Sequence, residues 1–167
     1  MLEELISLSK LETSEVSDEP DEVFLPDLLQ SVYDEMVRFD MGRHNIELEA
    51  EDLTVSGDRE ELRTAFSNLM TNAIRYSEEG TMIRLYCKSK DMATVVGVED
   101  QGVGISDEHR HRLTERFYRV DPGRSREQGG TGLGLAIVKH ILDRHDARLL
   151  IRSEPGKGSV FECQFSQ

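Results

Sequence analysis

The chain has 167 residues, of which 37% are hydrophobic and 32% charged, and its net charge at pH 7 is −13. This composition is ordinary for a globular domain, and the length is sufficient for a sizeable core. No apolar run approaches the roughly 20 residues of a membrane span, and the acidic balance argues against nucleic acid as a partner, because such binding depends on neutralising phosphates.

Hydrophobic periodicity and turn residues divide the chain into alternating elements. In chain order we predict a helix over 2–12, an acidic linker over 13–22, a helix over 26–39, strands over 45–50 and 53–56, a helix over 58–77, strands over 81–89 and 93–100, a short helix over 107–117, a long loop over 118–132, a helix over 133–146, and strands over 147–154 and 159–166. This order does not alternate strictly enough for a doubly wound parallel sheet. It predicts an α/β two-layer sandwich with a mixed sheet.

The two cysteines, Cys87 and Cys163, are too few for a disulfide framework or a zinc cluster. Each alternates with apolar residues on one face of a predicted strand. We therefore expect both to be reduced core residues, in a reducing cytoplasmic compartment.

Charge is spread unevenly along the chain. Residues 1–61 carry 19 acidic and four basic residues, whereas the stretch from His109 to Arg126 contains six arginines. This basic stretch is either a solvated helix and loop or an electropositive flap over an anion. A loop as long as 118–132 inside a compact domain is a functional lid or a disordered segment.

The helix predicted over 58–77 carries a polar stripe beside its apolar face. Asp58 is placed to cap this helix, and at about 100° per residue four polar side chains cluster together: Asn68, Asn72, Arg75 and Tyr76. An amide oxygen can ligate Mg²⁺, an arginine can bind phosphate oxygens, and a tyrosine ring can pack on a base. Accidental surface polarity is the alternative interpretation.

A carboxylate and two glycines follow the strand predicted over 93–100. Asp100 ends that strand and is followed by Gly102 and Gly104 in the stretch "VEDQGVGI". The carboxylate could accept a hydrogen bond from an exocyclic amine such as adenine N6, and the glycines would leave room for a flat base. A plain turn explains the same residues.

The glycine-rich stretch "GGTGLGLAIVKH" spans residues 129–140 and precedes a predicted helix. Its spacing excludes a Walker loop, because Leu135 and Ala136 stand where Lys and Ser or Thr are needed. It also excludes a dinucleotide fingerprint, because Leu135 takes the place of the third glycine. A flexible hinge and a phosphate cradle at a helix N-terminus both remain open.

Four stretches together resemble a known family. "NLMTNAIRYS", "DQGVGI", "ERFYRV" and "GGTGLGLAIVK" are similar, in this order and at typical separations, to the N, G1, F and G2 boxes of bacterial sensor histidine kinases. The resemblance covers about residues 22–167. "RLTERFYRVD" and "GLAIVKHIL" are most similar to the phosphate-regulon branch of that family.

The resemblance implies a Bergerat-type ATP-binding fold, with ATP and Mg²⁺ held beneath a mobile lid. By position it implies that Asn72 is a magnesium ligand and that Asn68 and Arg119 make catalytic phosphate contacts, with a further phosphate contact from Arg75. Adenine would contact Tyr76 and Asp100, in a pocket shaped by Gly102, Gly104 and Ile105. Phe117 would anchor the lid, and the residues that close over the triphosphate would be Thr131, Gly132, Leu133 and Gly134. Arg124 and Arg126 would be further lid contacts.

One position bears on the reaction. Hydrolytic relatives of this fold carry a glutamate that activates water where Asn68 stands here, and an amide cannot act as a general base. The resemblance therefore implies transfer of the ATP γ-phosphate to a histidine. A hydrolytic ATPase of the same fold and a non-catalytic module with a vestigial site are the alternatives.

The five histidines do not fit the phosphoacceptor pattern of sensor kinases, and His109 and His111 are expected to be exposed. The resemblance then implies that residues 1–12 end the second helix of a dimerisation hairpin, 13–22 form a linker, and 23–167 form the catalytic domain with its lid at about 106–132. The implied partners are the phosphoacceptor hairpin of the same kinase and a response-regulator receiver domain. The intact protein would be a membrane-anchored dimer with this part in the cytoplasm.

Overall fold

A computed structural model describes residues 2–14, 19–120 and 132–166 of the chain. The helices are α1 (Leu2–Thr13), α2 (Leu25–Asp40), α3 (Arg59–Tyr76), α4 (Asp107–Arg110) and α5 (Gly134–Arg144). The strands are β1 (Asp21–Phe24), β2 (Asn45–Ala50), β3 (Thr54–Gly57), β4 (Met82–Lys90), β5 (Ala93–Asp100), β6 (Arg148–Glu154) and β7 (Gly158–Ser166). Within these described ranges, none of the helices combines the length and apolar character that crossing a membrane requires.

The main sheet has five strands in the order β2-β4-β5-β7-β6. Strands β2 and β4 pair in parallel, and the other neighbours pair antiparallel, so the sheet is mixed. Helices α2, α3 and α5 pack with one face of this sheet around a shared hydrophobic core. The predicted two-layer sandwich with a mixed sheet is confirmed.

Helix α3 forms the centre of the helical layer. The Asp58 carboxylate accepts a hydrogen bond from the Glu61 backbone N–H at 3.0 Å, which satisfies one donor of the first turn. The apolar face of α3 is buried, and Phe66 meets Phe165 of β7 edge to face at 6.4 Å. This packing fixes the rotation of α3, and with it the direction of the polar stripe.

Two short elements differ from the prediction. Strand β1 begins inside the predicted acidic linker and pairs antiparallel with β3, where Val23 lies opposite Val55. Its pairing partner is 32 positions away along the chain, so local composition does not reveal it. Helix α4 ends at Arg110 and not at residue 117, and turns follow. Phe117 has a left-handed backbone, with φ of 63°, and its N–H donates to the Gly132 carbonyl.

Helix α1 packs on α5, and Arg144 contacts its C-terminal end. Leu8 and Leu11 are buried. The Arg144 guanidinium donates to the Leu11 carbonyl at 3.2 Å, to the Ser14 carbonyl at 2.9 Å and to the Glu61 carboxylate at 2.7 Å. We call this set of contacts the Arg144 latch, because it joins the end of α1 to the start of α3 and to the end of α5.

Both cysteines are buried free thiols, as the strand pattern predicts. Burial raises the pKa of Cys87 to about 11 and raises the pKa of Cys163 as well. A buried thiol with a raised pKa is a weak nucleophile, so both residues belong to the core and not to a reactive site.

Candidate nucleotide-binding site

A cavity of about 470 Å³ opens between α3, the end of β5 and the start of α5. Its volume is within the range of small-molecule sites. Its lining combines the polar stripe of α3 with glycine turns and the segment that follows α4: Glu4, Asn68, Thr71, Asn72, Arg75, Tyr76, Asp100, Val103, Gly104, Ile105, Leu113, Tyr118, Arg119, Val120, Gly132, Gly134, Leu135, Ser159 and Phe161.

One wall of the cavity is the polar stripe of α3. Asn68, Asn72, Arg75 and Tyr76 all line it, because the adjoining face of the helix is buried in the core. Thr71 lines the same wall, and its hydroxyl donates to the Asn68 carbonyl at 3.1 Å. Amide and guanidinium groups on one wall suit a ligand that carries phosphates and a cation bound to oxygen atoms.

Asp100 reaches the cavity from the end of β5. Asp100 is only 6% exposed, and its carboxylate accepts a hydrogen bond from the Gly102 N–H at 2.8 Å. Burial raises the pKa of Asp100, and the hydrogen bond from Gly102 opposes that shift. A buried carboxylate held in this way is a directed acceptor for a donor on a ligand.

Two glycines allow the turn after β5 to pack closely. A Cβ at Gly102 would lie 2.4 Å from the Tyr76 carbonyl oxygen, which is backbone and cannot move aside. Gly104 has a φ of 73°, and a Cβ there would lie 2.1 Å from the Glu154 carbonyl oxygen. Gly102 does not line the cavity itself but lets Asp100 and Tyr76 approach each other; Gly104 and Ile105 line it directly.

The segment after α4 forms the opposite side of the cavity. Arg119 lines it, together with Tyr118 and Val120. Phe117 is 52% exposed and lies outside the lining, but its N–H donates to the Gly132 carbonyl at 2.9 Å. Phe117 and Gly132, both within the expected lid of about 106–132, are therefore in contact.

The glycine-rich stretch is divided between the cavity and the core. Gly132, with φ of 78°, and Gly134, the first residue of α5, line the cavity, whereas Leu133 is fully buried in the core. The backbone N–H groups at the start of α5 give this side of the cavity a positive dipole end. Thr131, Arg124 and Arg126 lie outside the described residues.

Several lining residues were not predicted. Ser159 lies directly opposite Asp100 in the pairing of β5 with β7, a register that depends on long-range pairing. Glu4 belongs to α1, which reaches the cavity only because it packs on α5. Tyr118 could have been suspected from the motif "ERFYRV", since it adjoins Arg119.

A family model matches residues 57–167, and its description is "Histidine kinase-, DNA gyrase B-, and HSP90-like ATPase". The chain belongs to this family. This match and the sensor-kinase relatives described next together confirm the resemblance to sensor histidine kinases, and the chain carries their ATP-binding domain.

Named relatives agree with this membership. The chain is 44% identical to the phosphate regulon sensor protein PhoR of Pseudomonas aeruginosa over 99% of its length and 38% of that protein. It is 37% identical to the sensor-like histidine kinase SenX3 of Mycolicibacterium smegmatis over 96% of its length and 42% of that protein. The chain thus spans about two fifths of the curated relatives it matches.

The fold agrees as well. The mycobacterial sensor histidine kinase MprB superposes with a TM-score of 0.77 at 25% identity, covering 87% of this chain and 96% of that one. The five-stranded sheet under its helices is therefore the Bergerat fold of histidine kinase catalytic domains.

Proposed function

We propose that this chain binds ATP with Mg²⁺ and presents the γ-phosphate to a histidine outside the chain, as part of a two-component system that senses phosphate. The observation that carries this proposal is the convergence on one cavity of the α3 stripe, Asp100, Arg119 and the start of α5. The relative named a phosphate regulon sensor, 44% identical over nearly the whole chain, supports the signalling context.

The residues divide between the base and the phosphates. Asp100 accepts a hydrogen bond from the adenine amine, and Tyr76 packs on the ring, beside the close-packed turn that contains Gly102. Arg75 and Arg119 neutralise phosphate oxygens. The N–H groups at Gly134 and beyond donate to the same oxygens.

Asn72 is the residue we assign to the cation. Its amide lies on the cavity wall one turn from Asn68 and beside Arg75, where phosphate oxygens would complete the shell of an ion that prefers oxygen ligands. Bound Mg²⁺ would neutralise charge that develops on the transferred phosphoryl group. Asn68 and Arg119 orient that group, and transfer depends mainly on such positioning.

Transfer is favoured over hydrolysis by the chemistry of Asn68. A hydrolytic enzyme needs a group that accepts a proton from water, and an amide does not titrate usefully. A steady-state ATP turnover assay separates the two reactions. Continuous release of inorganic phosphate by the chain alone would favour the hydrolytic alternative.

The partners follow from the proposed reaction. We assign α1 to the end of a dimerisation hairpin that carries the phosphoacceptor histidine, residues 23–167 to the catalytic domain, and about 106–132 to the lid. The receiver domain of a response regulator would accept the phosphoryl group next. The intact protein would be a membrane-anchored dimer with this domain in the cytoplasm.

Calorimetric titration with ATP, with and without Mg²⁺, tests nucleotide binding. Asn72→Ala should weaken binding of Mg-ATP by about tenfold and make binding less dependent on Mg²⁺, because it removes a contact directed at the ion. Asp100→Asn should lower the affinity for Mg-ATP by about 10- to 100-fold, because it removes a charged contact. Asn45→Ala on β2 and Asp91→Asn in the β4–β5 turn are matched controls, because both positions are exposed and outside the cavity. Unchanged affinity in both site variants would remove the assignment.

Transfer is tested separately with labelled ATP. The chain alone should remain unlabelled, whereas a mixture with the hairpin of the same kinase should yield acid-labile label on the hairpin. Acid-labile label on the chain alone would contradict the proposal.

A further inference from the structure

A histidine outside the cavity contacts a tyrosine that lines it. His109 on α4 and Tyr118 share a hydrogen bond between the ring Nδ1 and the phenol oxygen. Both residues are half-buried, so His109 is not the exposed residue that the sequence predicts. The Arg112 guanidinium lies over the Tyr118 ring at 4.4 Å, which adds a cation–π contact.

The Tyr118 ring is therefore fixed from two directions outside the cavity. Its hydroxyl is held by His109 and its face is covered by Arg112, while the residue itself lines the cavity. Leu113, between these groups in the chain, is buried and anchors the turn to the core.

The neighbouring backbone is held as well. Phe117 donates its N–H to the Gly132 carbonyl, and a Cβ at Gly132 would lie 2.7 Å from the Phe117 Cα, so the backbone at Phe117 is in close contact with Gly132. Arg119 follows Tyr118 directly and lines the cavity. A change in the position of Tyr118 would therefore move Arg119.

We infer that His109 is a positioning residue: its hydrogen bond to Tyr118 holds the segment 117–120 so that Arg119 meets the phosphates of the nucleotide. This inference rests on the proposed function. If the segment 117–120 is already held in its bound conformation, less free energy is needed to order it when the nucleotide binds. The hydrogen bond between His109 and Tyr118 therefore increases the affinity for ATP. His109 itself touches neither base nor phosphate.

The chemistry of His109 suggests a precise set of variants. Asparagine places an amide group where the imidazole has Nδ1, so His109→Asn should keep the hydrogen bond, whereas His109→Ala removes it. Tyr118→Phe removes the same bond from the other side and keeps the ring in the cavity. His111→Ala is the matched control, because His111 is exposed and two residues away.

The readout is competition against a fluorescent ATP analogue, with Mg-ATP and AMP as separate competitors, after circular dichroism has verified folding. We expect His109→Ala and Tyr118→Phe each to weaken Mg-ATP by about three- to tenfold, the worth of one hydrogen bond. AMP should change by less than about twofold, because Arg119 is assigned to the distal phosphates. His109→Asn should restore affinity, and the double variant should lose no more than either single one.

Other results overturn the inference. If His109→Ala binds Mg-ATP as tightly as the unchanged chain, the bond positions nothing. If ATP and AMP lose equal affinity and asparagine does not rescue it, His109 only stabilises the fold. Failure of the unchanged chain to bind Mg-ATP is a different outcome, because it removes the proposed function itself and the inference with it.

Discussion

Removing the Arg144 latch is the most informative test of how α1 is joined to the rest of the chain. In the folded protein the Arg144 Nε–H is shared between the two Glu61 carboxylate oxygens, each at 3.1 Å, and Nη2 donates to the same carboxylate at 2.7 Å. Nη1 donates to the Leu11 and Ser14 carbonyls. The two charged side chains are only 12% and 15% exposed. Arg144→Ala would leave a largely buried carboxylate and two carbonyls without these donors.

The expected cost follows from this burial. Removing one partner of a fully buried ion pair costs about 3–5 kcal/mol, and the remaining solvent contact here reduces the expected loss in unfolding free energy to about 2–4 kcal/mol. Arg144→Lys should recover only part of it, because a single ammonium cannot meet the carboxylate and both carbonyls together. The pair of Arg63 with Glu35, 38% and 43% exposed at 3.0 Å, provides the control. Arg63→Ala should cost at most about 1 kcal/mol.

Urea denaturation followed by circular dichroism measures these losses. A double-mutant cycle with Glu61→Ala should give a coupling energy of about 1 kcal/mol or more. Hydrogen exchange should also be faster in α1 of Arg144→Ala, because its last carbonyls lose their donor. Equal losses for Arg144→Ala and Arg63→Ala would refute the reasoning, since burial would then make no difference.

Three further predictions concern the cavity and the core. Gly102→Ala should lower both the melting temperature and the affinity for ATP, the latter by at least about tenfold, because its Cβ would meet the Tyr76 carbonyl at 2.4 Å; calorimetry and thermal melts with wild-type values would contradict the packing. Burial raises the pKa of Asp100, so its unfolded carboxyl, with a pKa of about 3.9, ionises first, and the folded protein loses stability as pH rises through the raised pKa. The melting temperature of Asp100→Asn should accordingly rise relative to wild type as the pH is increased above about 4, and a constant difference would count against the burial. Cys87 and Cys163 are buried, and the pKa of Cys87 is about 11, so neither should react with a thiol reagent at about pH 8 until urea is added; fast labelling of the native chain would disprove this.

The features predicted well are those that depend on neighbours along the chain. The Asp58 cap needs only the backbone three residues on, and the stripe from Asn68 to Tyr76 follows from helical periodicity with an adjoining apolar face. Asp100 was placed correctly at a strand end because the apolar run of β5 stops just before it and a glycine-containing turn follows. Each of these patterns extends over only a few residues, so it can be recognised from the sequence without the tertiary structure.

The features missed depend on contacts between groups that are not neighbours along the chain. Strand β1 exists because β3 pairs with it. The predicted helix does not reach residue 117, where the backbone is left-handed and the N–H donates to the Gly132 carbonyl. His109 is half-buried because the chain turns back after α4 and brings Tyr118 into contact with it. Glu4 reaches the cavity because α1 packs on α5.

Local residue spacing and four short motifs therefore determine the order and type of the main elements, their apolar faces and the family. The approach of those motifs to one cavity, the burial of Asp100 against Ser159 and Gly102, and the Arg144 latch arise only when strands pair and helices pack. The physical reason is that periodicity constrains the direction of a side chain within its element, whereas its distance from groups on other elements is set by long-range pairing and close packing.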